Sequence, residues 1–357
     1  MQWATVTEFP DRDTKGIKCA AFSDAGLYAA DRTGVLRWHA ASASFELMAA
    51  RSKDEMVQVL LPVGEDRLWC GLGSGKLVIY DTETFKEHKK IGGAHAAEVT
   101  CLCLSHSGLA VFSASADFTL KSWDSGTGRQ LSSLSVHHSS VRTILAAPFS
   151  EEESLAITGG ADGAVVACKE RAGKLVEDED FHSVAAPSGV ASMVRIGERY
   201  WMGHAEGRVS TWDAAGLTLL GDAKAHRDSV SAIAEMGDVV WTGGADRQVL
   251  CWDAASRSPR LLYSLGDQGG YVKAMLRIGW GLWTFSPKHL RVLTSESIVD
   301  GHRKRLEQLE AERERLEAAL KGEVERRQEL QEEKEALERE VEGLNAEMSA
   351  VREQALE

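Results

Sequence analysis

The chain has 357 residues, 43% hydrophobic and 27% charged, a composition that supports a globular core and excludes wholesale disorder. Its formal net charge of −13 argues against a general nucleic-acid or anionic-membrane binder, which needs a basic face. These averages hide a division. All ten Trp, nine Phe and five Tyr precede residue 290, and residues 301–357 hold neither an aromatic side chain nor a proline.

Met1-Gln2-Trp3-Ala4-Thr5 has no basic segment followed by an apolar run, so no secretory signal is expected. No stretch reaches the ~18 apolar residues of a membrane-spanning helix. Cys19, Cys70, Cys101, Cys103, Cys168 and Cys251 sit in short apolar segments without CxxC or histidine at zinc spacing. Buried reduced thiols, no metal and a cytoplasmic setting, cytoskeleton-associated at most, are expected.

In chain order, residues 2–9 alternate and are rich in Val, Thr and aromatics, as an outer strand is. A unit then recurs. Leu68-Trp69-Cys70-Gly71 leads to Val78-Ile79-Tyr80-Asp81, as Val240-Trp241-Thr242-Gly243 leads to Leu250-Cys251-Trp252-Asp253. The slot ending each unit holds Trp38, Tyr80, Trp123, Cys168, Trp212, Trp252 and Leu293, at intervals of 40 to 45 residues. Seven such units, each of short apolar runs broken by Gly, Asp and Ser, have the period of a four-stranded propeller blade. A single blade cannot bury both faces, so the blades must stack around an axis. The seventh unit runs out of chain one strand early, so residues 2–9 are expected to close the ring.

From residue 300 the pattern becomes helical, with Asp300 as N-cap. Positions a and d carry Leu306, Leu309, Leu316, Leu320, Leu330, Leu337, Val341, Leu344, Met348 and Val351, interrupted at a by Arg313, Arg327 and Lys334. This is the seam of a coiled coil. In a parallel homodimer Glu312 would face Glu317 and Glu333 would face Glu338, so a second protein with basic e and g positions is favoured, with a homodimer close behind.

The repeats resemble WD40 repeats. Trp-Asp pairs stand at Trp123-Asp124, Trp212-Asp213 and Trp252-Asp253. The blade-opening histidine is matched by His95, His137 and His226, the hydroxyl by Ser113, Thr158 and Thr242, and the turn aspartate by Asp117, Asp162 and Asp246. Blades three and six hold full sets (His95, Ser113, Asp117, Trp123; His226, Thr242, Asp246, Trp252), and blade four lacks only its Trp. Blades one, two, five and seven depart from the pattern. The resemblance implies an all-β seven-bladed propeller over residues 1–299, with these sets as internal hydrogen-bond networks; the heptads add the coiled-coil helix of 300–357. The order of propeller then coiled coil is similar to that of coronins, without their characteristic sequence blocks.

Catalytic chemistry finds no support. Gly71-Leu72-Gly73-Ser74-Gly75-Lys76 lacks phosphate-loop spacing and runs into a strand, not a helix. No paired carboxylates, nucleophile elbow or zinc-hydrolase motif is present, and no cofactor is expected. The Trp-Asp-x-Arg of ubiquitin-ligase-docking propellers and the Phe/Leu-Arg-Arg-Gly of phosphoinositide binders are absent. The expected role is a non-enzymatic scaffold that recognises a protein or peptide, with the rod driving assembly in a cytoskeletal, trafficking or similar setting. The alternative is a regulatory subunit of an enzyme complex, as in inositol-phosphate signalling or ubiquitin ligation. Lys18, Arg142 and Lys273 occupy one repeat position, directly after a blade-opening apolar residue. They mark a candidate ligand face for an acidic or phosphorylated peptide.

Overall fold

The computed structural model describes residues 3–10 and 16–295, except 40, 43, 53–54, 150–152, 177–181, 280 and 287–288, together with scattered residues between 313 and 348. Two compact units divide the chain, Trp3–Thr294 in one and Met1–Gln2 with Ser295–Glu357 in the other.

The first unit contains seven antiparallel sheets. Their strands are lettered a to d outward from the axis. The a strands are Cys19–Ser23, Val57–Val63, Val99–Leu104, Val141–Pro148, Val190–Ile196, Val230–Met236 and Ala274–Ile278. Each touches the a strand of the next sheet, and the seventh touches the first, which closes a seven-bladed propeller. Blades one to three, five and six take four consecutive strands each. In blade four the outer position is shared by Lys174–Leu175 and His182–Ala185, both paired with Ala164–Arg171. In blade seven it is filled by Trp3–Pro10, which lies outside His289–Ser295.

The core lies between blades. One cluster joins Trp69 and Ile79 of blade two to Val99 and Trp123 of blade three. Another joins Trp201 of blade five to Val230 and Trp252 of blade six, the two indoles 6.4 Å apart. At the closure Leu27, Ala29 and Leu36 of blade one pack on Phe285 and Leu290 of blade seven, with Trp38 edge-on to Trp283 at 5.6 Å. Two rows of side chains build these interfaces. The slot row is buried from Tyr80 to Leu293, with Trp38 half-buried. Eleven residues earlier, on strand b, runs a second buried row of Leu27, Trp69, Phe112, Ile157, Trp201, Trp241 and Leu282. Burying each such side chain contributes about 1.5–3 kcal/mol.

In the second unit the described residues, among them 315–318 and 320–323, are helical. Of the expected seam, Leu316, Leu320, Leu330, Leu337, Val341 and Met348 are exposed at 55% to 66%, an apolar series with no cover in a single chain. Leu306, Leu309, Leu344 and Val351, and the cap Asp300, lie outside the described residues. Two seam bases reach along their own helix to position-e acids: Arg313 Nε lies 3.5 Å from Glu317 and Lys334 Nζ 3.6 Å from Glu338. No described helix is long and apolar enough to cross a membrane.

Candidate functional site at the channel mouth

Each blade opens on a buried aliphatic residue: Ile17, Val57, Val99, Val141, Val190, Val230 or Val272. Several of these seat on a glycine in strand b of the preceding blade. A β-carbon on Gly71 would lie 2.6 Å from Val99 Cγ1, on Gly159 2.6 Å from Val190 Cγ1, and on Gly203 2.6 Å from Val230 Cγ1. These glycines are there because the neighbouring blade comes too close for any side chain.

The residue immediately after the opening one behaves differently. In blades two to six the strand a to b register slips at that point, between Val57 and Val59, Val99 and Cys101, Val141 and Thr143, Val190 and Ser192, and Val230 and Ala232. The extra residue of each bulge is Gln58, Thr100, Arg142, Ala191 or Ser231. A bulge breaks the in–out alternation and re-aims one side chain. All five, with Lys18 and Lys273 at the equivalent places in blades one and seven, line one cavity of about 750 Å³ at the axis. Lys18 and Lys273 stand just ahead of their a strands, anchored by backbone bonds of 2.8 Å to Ala30 O and Phe285 O.

The structure thus gathers Lys18, Arg142 and Lys273 around one opening and adds Arg32, which the sequence pattern did not single out. Arg32 rides on the b–c turn of blade one, tightened by Asp31 Oδ1 accepting from Thr33 N at 2.6 Å and Gly34 N at 3.2 Å. Lys18 Nζ donates to Gln58 Oε1 at 3.3 Å, and Lys273 Nζ lies 4.9 Å from the centre of the Tyr271 ring. Among the described residues that line the cavity, Glu98 is the one acid. Among the described residues no carboxylate forms an ion pair with Arg32, Arg142 or Lys273. Lys76, by contrast, is tied to Glu55 at 2.9 Å, and Gly75 at +77° makes the turn before it, so the glycine-rich stretch of blade two is a b–c turn.

No member of the histidine sets lines this cavity. His95 Nδ1 faces Asp117 at 3.0 Å and its Nε2 faces Ser113 Oγ at 2.7 Å, while Trp123 Nε1 donates to the same Oγ at 2.8 Å. With Nδ1–H given to the carboxylate, Nε2 accepts the hydroxyl proton, and Ser113 is saturated and wholly buried. The trio has the connectivity of a hydrolase triad but no route for a substrate. His226 repeats it with Asp246 at 3.0 Å, Thr242 at 2.8 Å and Trp252 on Thr242 at 2.8 Å. In blade four His137 bonds Asp162 and Thr158, and Thr158 turns to Val166 O where Cys168 replaces the indole. Blade five, which lacks the sequence pattern, has a network of its own. His204 on strand b bonds Ser210 Oγ at 2.6 Å and Ser188 O at 3.0 Å, and Trp212 Nε1 donates to Ser210 at 2.7 Å. The sign of it in the sequence was a histidine at a position where blades four and six carry Gly160 and Gly244, whose β-carbons would strike His137 and His226.

Burial holds His95, His137 and His204 below the ordinary histidine value, with the facing aspartate opposing it in the first two. Burial also works against the Asp117 carboxylate, but bonds from Thr119 and Ala96 hold it down at about 2. The thiols are inert by the same physics: burial pushes Cys19, Cys103 and Cys168 up to about 12. Among the described residues no cluster of His, Cys, Asp and Glu could hold a metal ion.

Residues 84–124 match the WD40 family described as WD domain, G-beta repeat. That stretch takes in the outer strand of blade two, Glu87–Ile91, and ends on Thr119–Asp124 of blade three, so the sequence repeat straddles two blades. No curated protein sequence matches the chain. Among solved structures it is similar to a chain of "Crystal Structure of Mitotic Checkpoint Complex", with 17% identity, a TM-score of 0.69, and 82% of this chain and 91% of that one covered. It is also similar to "Crystal structure of WD40 beta propeller domain of Doa1" (16%, TM-score 0.68, 83% and 98% covered). A third is the computationally designed Ika8 protein (21%, TM-score 0.60, 78% and 83% covered). The fold is that of a seven-bladed propeller, and the chain carries a WD40 repeat within it.

Proposed function

We propose that this protein is a non-catalytic adaptor, whose propeller takes a protein segment at the channel mouth and whose C-terminal helix joins a second helix. The observation that carries the reading is the bulged ring. At the position after each opening residue the fold aims a side chain into a shared cavity, and the blades fill it with different chemistry. Adaptor architectures of this kind keep the scaffold constant and vary such positions. The exposed seam residues support the second half of the proposal, since an apolar stripe of this length on a charged helix calls for a partner. Arg313 and Lys334 relieve part of the acidic e row, yet Glu312 and Glu333 still oppose acids in a parallel pair, so a basic partner helix is favoured over a second copy.

Affinity capture from a lysate with the full chain, against the full chain carrying Lys18→Glu, Arg142→Glu and Lys273→Glu, tests the mouth. A protein captured by the first and lost by the second is expected; equal capture would remove the mouth as the interaction face. Sedimentation equilibrium of the full chain at neutral pH tests the helix, where a tight dimer would overturn the heterotypic partner.

A further inference from the structure

We infer that the channel mouth is a two-pole anion site, and that its occupant is a peptide segment carrying two phosphate esters. The inference rests on the adaptor reading and adds the ligand's chemistry. Blades seven and one are neighbours across the closure and bring Lys273, Lys18 and Arg32 to one side of the opening. In a ring of seven, blade four is three steps from each of them, so Arg142 stands at the opposite pole. The arc through blades five and six offers small groups, Ala191, Ser231 and Ala245, that leave room for a chain to cross.

Charge fixes the kind of anion. Four cations against the single Glu98 leave +3 on the lining of one cavity, within a chain whose total is −13. A phosphate ester carries about −1.5 to −2 at neutral pH, so two esters match the lining where carboxylates would need three side chains in the same space. Arg142 and Arg32 present the planar fork that phosphate oxygens take two at a time, and on the Arg32 side Lys18 and Lys273 add point charges. Tyr271 is 43% exposed and holds the Lys273 ammonium over its ring, which places that charge at the rim instead of leaving it to wander. At Arg142 the bulge matters too, because a side chain on a residue whose two neighbours are both paired loses less freedom on binding.

The test is fluorescence anisotropy with the full-length chain and labelled Gly/Ser peptides. These bear two phosphoserines separated by about two to six residues, one phosphoserine, or none; inositol hexakisphosphate serves as a free polyanion. The doubly phosphorylated series is expected to bind with an optimum of spacing and to weaken with salt. Lys18→Glu with Lys273→Glu, and separately Arg142→Glu, should each cost about tenfold in affinity, with thermal melting showing each variant folded. Spacing-independent binding, or loss from one pole alone, would overturn the two-pole geometry. Binding of inositol hexakisphosphate at these residues without the peptides would replace the peptide by a free polyanion. If no anion binds but capture from lysate still depends on the ring, the anion inference falls and the adaptor reading stands; if capture is also independent of the ring, both fall.

Discussion

Val190 and Ala191 are adjacent in the chain and belong to different parts of the molecule. Val190 is wholly buried, its methyl group 2.6 Å from where a β-carbon on Gly159 of the preceding blade would be. Ala191 is the bulged residue beside it and faces the cavity. The same pairing repeats around the ring. The first position is always Val or Ile, and the second is Lys, Gln, Thr, Arg, Ala, Ser and Lys in turn. In blades two to six one residue is restricted by the neighbouring blade and the next is released by a slipped register, so a single peptide bond separates scaffold from cavity lining.

The largest way to break this arrangement is to open the ring. Removing residues 1–10 takes away the fourth strand of blade seven and leaves the edge of His289–Ser295 unpaired. Because each blade is stabilised by both neighbours, the loss should spread through the whole unit. The expected outcome is a melting midpoint lower by more than about 10 °C in circular dichroism, and an unchanged midpoint would show that the strand adds nothing to closure.

Next in size is Ser113→Ala, which leaves His95 Nε2 and Trp123 Nε1 buried without their shared partner. Each orphaned group costs about 1–3 kcal/mol, so a loss of about 2–4 kcal/mol in chemical denaturation is expected. Acid should find the same networks. His95, His137 and His204 are held neutral below their ordinary value of 6.5, so the unfolded chain binds more protons than the fold once the pH drops under 6.5. Their contribution is complete above that pH and declines as the pH falls towards the folded values. Asp117 adds a second decline between its ordinary 3.8 and about 2. Melting curves from pH 7 to pH 3 should therefore begin to fall before any carboxylate of ordinary strength titrates. A flat profile down to pH 4.5 would contradict the burial of neutral imidazoles.

Those networks also show where the sequence was legible. His95 and His226, with their hydroxyls, aspartates and indoles, could be found by spacing alone, because each member sits on a strand or turn of fixed length. The seven-unit period was equally plain from the slot residues, whose bulk is required wherever two blades meet. His204 was hidden because its network reaches Ser210 from strand b and replaces the aspartate by Ser188 O, which no side-chain pattern records. The recurrence of Lys18, Arg142 and Lys273 at one repeat position could be read too. Arg32 could not, since it stands where blades three, four and six carry their turn aspartate, six residues before the slot residue, and a single departure from the pattern has no recurrence to mark it. The bulges were likewise invisible: a slipped register is a relation between two strands, and the residues it re-aims look in sequence like ordinary solvent-facing positions of strand a.

The tail adds a contrast. Its heptads are legible residue by residue, and the described residues of the expected seam are helical and exposed. What the pattern alone leaves open is how far Arg313 and Lys334 satisfy the acids around them. Their pairing with Glu317 and Glu338 draws the bases away from the seam towards its flank. Exposed pairs of this kind contribute about 0.3–0.5 kcal/mol each, which in a parallel homodimer would soften the repulsion among these acids without removing it.

The smallest expected effect returns to the adjacent pair and sharpens the comparison most. Val190→Ala removes two methyl groups from a closed interface and should cost about 2 kcal/mol, because the neighbouring strand cannot collapse onto a cavity it already touches. Ala191→Lys, one residue on, adds three methylenes and an ammonium group, a far larger change in composition. The side chain has an open cavity to enter and the ammonium has water, so its effect on stability should stay within about 0.5 kcal/mol. Its effect on binding should be larger: a fifth cation between the two poles raises the affinity for the doubly phosphorylated peptide a few-fold at low salt and loses that gain at high salt. Paired denaturation and anisotropy measurements on the two variants decide the matter. A destabilisation by Ala191→Lys as large as that by Val190→Ala would mean that the bulge does not release this position, and the separation of scaffold from site would fail at the point where it is drawn most finely.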